Sequence, residues 1–244
     1  MLHYIYDGSF DGLLTSIYDA YYRKESIEDI VPQDSVEDNF LIEKMFIRTN
    51  REKANKVYLA IENKISEEFL SRVFYGYLSE LPRHGITILK YIQLGFKMGP
   101  QVDLNLSNDI VLQMDNVYHK VAREIHRMVG LIRFKQLEND ILYASIEPDY
   151  NIVGLLAPHF ESRMTNENWV IHDVKRGIGA FYNKREWVIK DIEITDTLIM
   201  KEDEEEYQNL WKTYYKFIAI ESKINPKLQK RNMPMRYWKH LVEK

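Results

Sequence analysis

The sequence contains no cysteine. Disulfides, thiolate nucleophiles, cysteine zinc sites and iron–sulfur clusters held by this chain are excluded together. Gly-rich phosphate loops are missing too, since neither G-x-G-x-x-G nor G-x-x-x-x-G-K-[ST] occurs. There is no G-x-S-x-G nucleophile elbow and no H-E-x-x-H metal pair. No apolar window approaches the length that spans a bilayer. The start, Met1-Leu2-His3-Tyr4-Ile5-Tyr6-Asp7, has neither the basic leader nor the apolar core of a signal peptide. These absences lead to the expectation of a cytoplasmic protein with no metal site and no cofactor of its own.

What is present describes a folded body. Hydrophobic residues make up 45% of the 244 positions and charged residues 29%, too apolar for disorder. Aromatics reach 13%, more than half of them tyrosine, which fits a packed body with polar-tipped rings at its rim. The length allows one large domain or two small ones. The reading is one composite domain over 1–244, with a candidate lobe boundary in the polar, helix-poor stretch near 100–108.

The opening alternation of aromatic and aliphatic residues reads as a strand ending at Asp7-Gly8. Ser9 then caps a helix whose Phe10, Leu13, Leu14, Ile17, Tyr18 and Tyr21 form one stripe. Residues 27–38 are acidic and turn-rich and read as a connection, and 41–47 as a second strand. Helical stripes follow at 52–65, 69–78, 86–96 and 109–129. Residues 130–134 and 141–146 flank Leu137-Glu138-Asn139-Asp140 as a hairpin. Residues 151–163 read as a helix bent at Pro158, and 169–173, 178–181 and 186–192 as strands. Acids at 202–206 begin a last long helix, complementing its dipole. Its Tyr207, Leu210, Trp211, Tyr214, Phe217 and Ile218 are expected to form a buried stripe. The fold class is α+β, with a helical first half and an antiparallel sheet with helices in the second.

Two basic features stand out in a chain of net charge −4. On a helical wheel of 109–129, Ile110, Met114, Val117, Val121, Ile125 and Val129 share one arc. His119, Arg123 and His126 lie opposite, with Lys120 and Arg127 at the margin. Arg and His, rather than Glu and Lys, on that face suit a grip on a phosphate backbone. The second feature is the tail. Lys223, Lys227, Lys230, Arg231, Arg236, Lys239 and Lys244 face a single acid, Glu243, and Tyr237 and Trp238 stand among them. Cations interleaved with rings suit phosphate neutralisation and stacking on unpaired bases. The same pattern also fits a basic surface element pinned by two core aromatics. Lys175 and Arg176, in a turn, extend the basic surface if they fall on the same edge.

Histidines at His126, His159 and His172 are the weak catalytic candidates, because imidazole beside carboxylate serves general acid–base chemistry. His172 and Asp173 are adjacent, so in a strand they point to opposite faces, which breaks the simplest dyad.

Three blocks carry a family resemblance: Y-I-Y-D-G-S-F-D-G-L-L near the start; A-R-E-I-H-R-M-V-G-L-I-R-F-K through P-D-Y-N-I-V-G-L-L-A-P-H-F-E-S-R-M to W-V-I-H-D-V-K-R; and L-W-K-T-Y-Y-K-F-I-A-I-E-S-K-I-N-P-K-L-Q-K-R-N-M-P-M-R-Y-W-K-H-L-V-E at the end. In these the chain resembles a bacterial family of uncharacterised proteins described as probable DNA-metabolism proteins. The resemblance implies a gene beside a radical S-adenosylmethionine protein and related domains fused to a uracil-DNA glycosylase. It carries over no catalytic residue. Any iron–sulfur chemistry in such a pairing belongs to the partner, because this chain has no cysteine.

The functional expectation is an accessory protein of DNA repair or modification that binds nucleic acid, a partner enzyme, or both. Its contacts would be His119, Arg123, His126, Arg127, Lys175, Arg176, Lys227, Lys230, Arg231, Arg236, Trp238 and Lys239. Two alternatives stand beside it: a hydrolase or lyase centred on the three histidines, and a protein–protein adaptor.

Overall fold

A computed structural model describes residues 2–36, 39–192, 199–218 and 220–243. Met1, Asp38 and Lys244, which enter the readings above, lie outside the described residues. The chain divides into two compact units, Met1–Ala122 and Arg123–Lys244. The polar stretch near 100–108 falls within the first.

In the first unit, strand β1 (Leu2–Tyr6) lies between β2 (Ile27–Pro32) and β3 (Glu43–Phe46), parallel to both. Helix α1 (Phe10–Arg23) starts where expected, with the Ser9 hydroxyl accepting the Gly12 N–H. Helices α2 (Arg51–Lys64), α3 (Glu67–Leu78) and α4 (His84–Met98) follow the sequence stripes, the first two capped by Asn50 and Ser66. Their apolar faces close over the sheet: Tyr4, Leu13, Ile61, Phe69 and Ile88 are fully buried. Phe69 and Tyr91 stack with ring centres 4.2 Å apart.

The connection expected at 27–38 begins instead with strand β2 over Ile27–Pro32. Glu28 and Asp29 disguise β2 as a turn-rich segment, but Asp29 is buried, and its carboxylate accepts the Ile30 N–H at 2.8 Å. Pairing with β1, about twenty-five residues away, supplies what local pattern cannot.

Helix α5 (Asp109–Leu131) runs two residues past its expected end. In the second unit a five-stranded sheet has the order β4-β5-β6-β7-β8, with β4 Lys135–Gln136, β5 Leu142–Ile146, β6 Asn168–Asp173, β7 Ile178–Asn183 and β8 Trp187–Asp191. The sheet is mixed rather than antiparallel. β5 and β6 are parallel because helix α6 (Val153–Arg163) carries the chain back between them, while every other pair is antiparallel. The hairpin strand expected at 130–134 is displaced, since α5 occupies its start and only Lys135–Gln136 pairs. Asp140 adopts φ 58° in the hairpin turn.

Helix α7 (Glu204–Ile218) forms as expected, but its stripe is not buried. Phe217 is 84% exposed, Leu210 65% and Tyr207 59%. The helix is held by a few polar ties: Glu204 accepts the Gln136 N–H, Trp211 donates to Glu243, and the Tyr215 hydroxyl accepts from Gln229. Helix α8 (Pro226–Asn232) and a 3-10 turn at Met235–His240 complete the tail. Among the described residues, no helix is long and apolar enough to cross a membrane.

Candidate nucleic-acid interface

The buried arc of α5 is Val111, Met114, Val117, Val121, Met128 and Leu131, rotated by about a position from the expected one. Ile110, Ile125 and Val129 are only half-buried. The rotation brings a charge inside: Glu124 is 3% exposed. Its two carboxylate oxygens accept the backbone N–H groups of Asp149 and Tyr150, each at 2.9 Å. The Tyr237 hydroxyl donates to the same carboxylate, and the Arg236 guanidinium lies 3.5 Å away. A buried carboxylate is costly unless its lone pairs are filled by donors, and here they are. Glu124 thereby fastens α5, the 149–150 loop and the tail to one another. The sequence carried a signal for it: Val117, Val121, Glu124 and Met128 share one helical spacing, and only one of them is charged.

The tail is accordingly anchored along its second half. Tyr237 is 1% exposed and has no face open to a base. Arg236, expected on phosphate, pairs with Asp149 at 2.6 Å and lies over the Tyr237 ring. Lys239, also expected on phosphate, pairs with Glu147 at 2.6 Å. Trp238 is half-buried and its indole N–H donates to the Met233 carbonyl at 2.9 Å. Arg133 closes the end with a two-pronged contact to Glu243, its shorter arm 2.6 Å. Burial would raise the Glu243 carboxyl, but donors from Arg133 and Trp211 together hold it below the usual range.

The first half of the tail differs. Lys227, Lys230 and Arg231 on α8 are exposed, as are Arg123 and His126 on α5. None of these side chains takes part in an ion pair among the described residues. Arg127 Nη2 donates to the Arg231 carbonyl at 3.2 Å, so the two basic segments meet at one edge of the second unit. His119 is exposed on the part of α5 that belongs to the first unit, within 3.5 Å of Asp115.

The basic turn divides in the same way. Lys175 is exposed. Arg176 points inward, donating to Asp173 at 2.8 Å and to the carbonyls of Pro148 and Asp149, so its charge braces the loop that serves Glu124. Burial raises the Asp173 carboxyl against the pull of Arg176.

The three candidate histidines have separate surroundings. His126 is exposed; His159 sets its ring edge-on to Phe160; His172 is buried, with Nδ1 2.7 Å from the Tyr143 hydroxyl. Burial depresses the His172 imidazole despite Asp173 nearby. No hydrogen bond joins any two of them among the described residues, and no group of three or more His, Asp or Glu there is arranged to hold a metal ion.

A polar cluster that sequence reasoning missed involves His240. Its Nδ1 is 3.0 Å from the Ser145 hydroxyl and its Nε2 is 3.6 Å from Glu147. The imidazole–carboxylate leg is too long for a hydrogen bond, and Glu147 is committed to Lys239. The cluster ties the tail to β5.

A family described as a domain of unknown function, DUF4130, matches residues 82–243, from the approach to α4 through the anchored tail. No curated protein matches the chain.

Proposed function

This chain belongs to the DUF4130 family of domains of unknown function, and from that premise we propose that it is an accessory protein of DNA repair or modification, one that binds nucleic acid and delivers it to a partner enzyme. The observation that carries the reading is the meeting of Arg123, His126 and Arg127 with Lys227, Lys230 and Arg231 through the Arg127–Arg231 contact. Arg123, Lys227, Lys230 and Arg231 are exposed and without acidic partners among the described residues, in a chain of net charge −4, and so have charge left for an outside anion. Phosphates fit it because Arg and Lys bind them through charge-assisted hydrogen bonds and release counterions. Lys175 is a secondary contact in this reading, and His119, on the first unit, is a separate candidate. Arg176, Arg236 and Lys239 are paired with Asp173, Asp149 and Glu147 and serve in this reading as braces.

The partner is read from the resemblance: a radical S-adenosylmethionine protein or a uracil-DNA glycosylase. The chemistry, including any iron–sulfur cluster, would be the partner's.

The test is binding of the purified chain to labelled single-stranded and duplex DNA at low salt, with Arg123→Glu/Lys230→Glu/Arg231→Glu beside it. Saturable binding that weakens at least about tenfold in the triple variant is expected, since several phosphate contacts are reversed. No binding at low salt overturns the nucleic-acid reading. Strand cleavage or base release by the chain alone replaces the accessory role with an enzymatic one.

A further inference from the structure

Helices α1, α2 and α4 of the first unit border an open groove of about 700 Å³, within the size range of small-molecule sites. Its floor is aliphatic and buried, with Ile17 and Ile92 at its base. The rim is different. Tyr21 is 65% exposed, Tyr22 63% and Phe96 41%, so three large rings stand out in solvent around one concavity. Tyr21 and Tyr22 meet edge to face, their ring centres 5.3 Å apart at 82°; Tyr22 also packs against Tyr18, 4.5 Å away at 38°, whereas Tyr21 makes no second ring contact among the described residues. Among the described residues the only charged side chains lining the groove are Lys56 and Lys64; no acid is present, and Gln93 supplies the one amide. Neither lysine is in an ion pair there. Neighbouring Lys53, by contrast, is neutralised by Asp19 at 2.6 Å.

Each feature has a chemical counterpart. Exposed aromatic faces stack on planar rings. Gln93 can both donate to and accept from a base edge. Lys56 and Lys64 stand eight residues apart on α2, about 12 Å along its axis, and so bracket the aromatic rim with positive charge. An apolar carboxylate would call for one cation at the mouth of a closed aliphatic channel, whereas this groove is open and has aromatic walls.

We propose that this groove is a nucleotide site: Tyr21 stacks the base, with Tyr22 edge-on beside it, and Lys56 and Lys64 supply the charge for phosphate. A free mononucleotide and an unpaired nucleotide within a strand share this chemistry. The proposal rests on the first unit alone and does not need the basic edge of the second.

The experiment titrates the full chain with adenosine monophosphate, adenosine, a 5′-phosphorylated single-stranded DNA hexamer and laurate. The nucleotide or the hexamer is expected to bind saturably, with adenosine at least about fivefold weaker for want of a charged phosphate. Tyr21→Ser and Lys64→Gln should each weaken binding by about fivefold, with unchanged circular dichroism because both side chains are exposed. A hexamer at least about tenfold tighter than the mononucleotide identifies a strand as the source, through its added phosphates. Equal or weaker hexamer binding identifies the free nucleotide. Three results overturn the proposal: no saturable nucleotide or hexamer binding, affinities unmoved by both substitutions, or binding of laurate alone. Duplex binding at the second unit's basic edge is read separately, so either reading can fail without the other.

Discussion

Tyr237, near the end of the chain, donates its hydroxyl to Glu124 in the middle of α5, 113 residues earlier, and both groups are buried. This bond fixes the course of the tail. With Tyr237 seated, Arg236 reaches Asp149 and Lys239 reaches Glu147. The preceding turn of the tail, α8, then lies where Arg127 meets the Arg231 carbonyl. A buried carboxylate thus precedes, in the physical order of causes, the exposed cations proposed to bind phosphate.

Removing that carboxylate should cost far more than an exposed substitution. Glu124→Ala leaves two backbone N–H groups and a hydroxyl without their acceptor, while Arg236 keeps Asp149, a loss of about 3 kcal/mol. Tyr237→Phe deletes one hydrogen bond to a charged group and should cost about 2 kcal/mol. Denaturant melts give both values. Trypsin should also cut faster after Lys227, Lys230 and Arg231 in the alanine variant, because the tail is released. Melts within 0.5 kcal/mol of wild type, roughly the range of surface changes, would deny Glu124 its role.

Acid should destabilise the fold before the carboxylates titrate. Burial depresses the imidazoles of His84, His172 and His240 below the ordinary 6.5, against the opposing pull of Asp29 and Glu80, of Asp173 and of Glu147 respectively. Above 6.5 these groups are neutral in both folded and unfolded chains, and their contribution is fully present. As pH falls below that value the unfolded chain takes up protons first, so stability declines until the depressed folded values are passed. Denaturant melts at stepped pH between about 7.5 and 5 should register the decline. His240→Asn should make it shallower. A flat or rising stability over that window contradicts the burial assigned to these rings.

The apolar side of α7 should tolerate polar substitution. Phe217 is 84% exposed and Leu210 65%, so Phe217→Ser and Leu210→Ser should change stability by no more than about 0.5 kcal/mol. Trp211→Ala should cost more, because Arg133 lies over its ring and its N–H donates to Glu243. A loss of several kcal/mol at Phe217 would mean that the stripe is packed after all.

Much of the fold was legible in the sequence, and the misses share a cause. Ser9, Asn50 and Ser66 cap helices whose periodicity is local, and each helix forms within a few residues of its expected bounds. β2 was hidden because its partner strand is distant and its acids resemble a turn. The parallel β5–β6 pair was hidden because the relative direction of the two strands is decided by α6 between them, not by either strand. At the basic surface, sequence counts charges but not partners. Arg176, Arg236 and Lys239 look the same in a string of letters as Lys227 and Lys230, yet Asp173, Asp149 and Glu147 hold the first three. Tyr237 and Trp238 are neighbours in the tail, and burial separates them. The α7 stripe shows the converse, since amphipathic periodicity states which residues share a face but not that anything covers it.

The most direct test of the basic edge is the salt dependence of DNA binding. Each phosphate neutralised contributes about −0.9 to the slope of log affinity against log salt on duplex, and about −0.7 on single strands. The chain should give a steep negative slope, and Arg123→Glu/Lys230→Glu/Arg231→Glu should flatten it by about 2 to 3 units on duplex. Arg236→Gln should instead show itself as a loss of stability. An unchanged slope in the folded triple variant would contradict the assignment of these cations to phosphate.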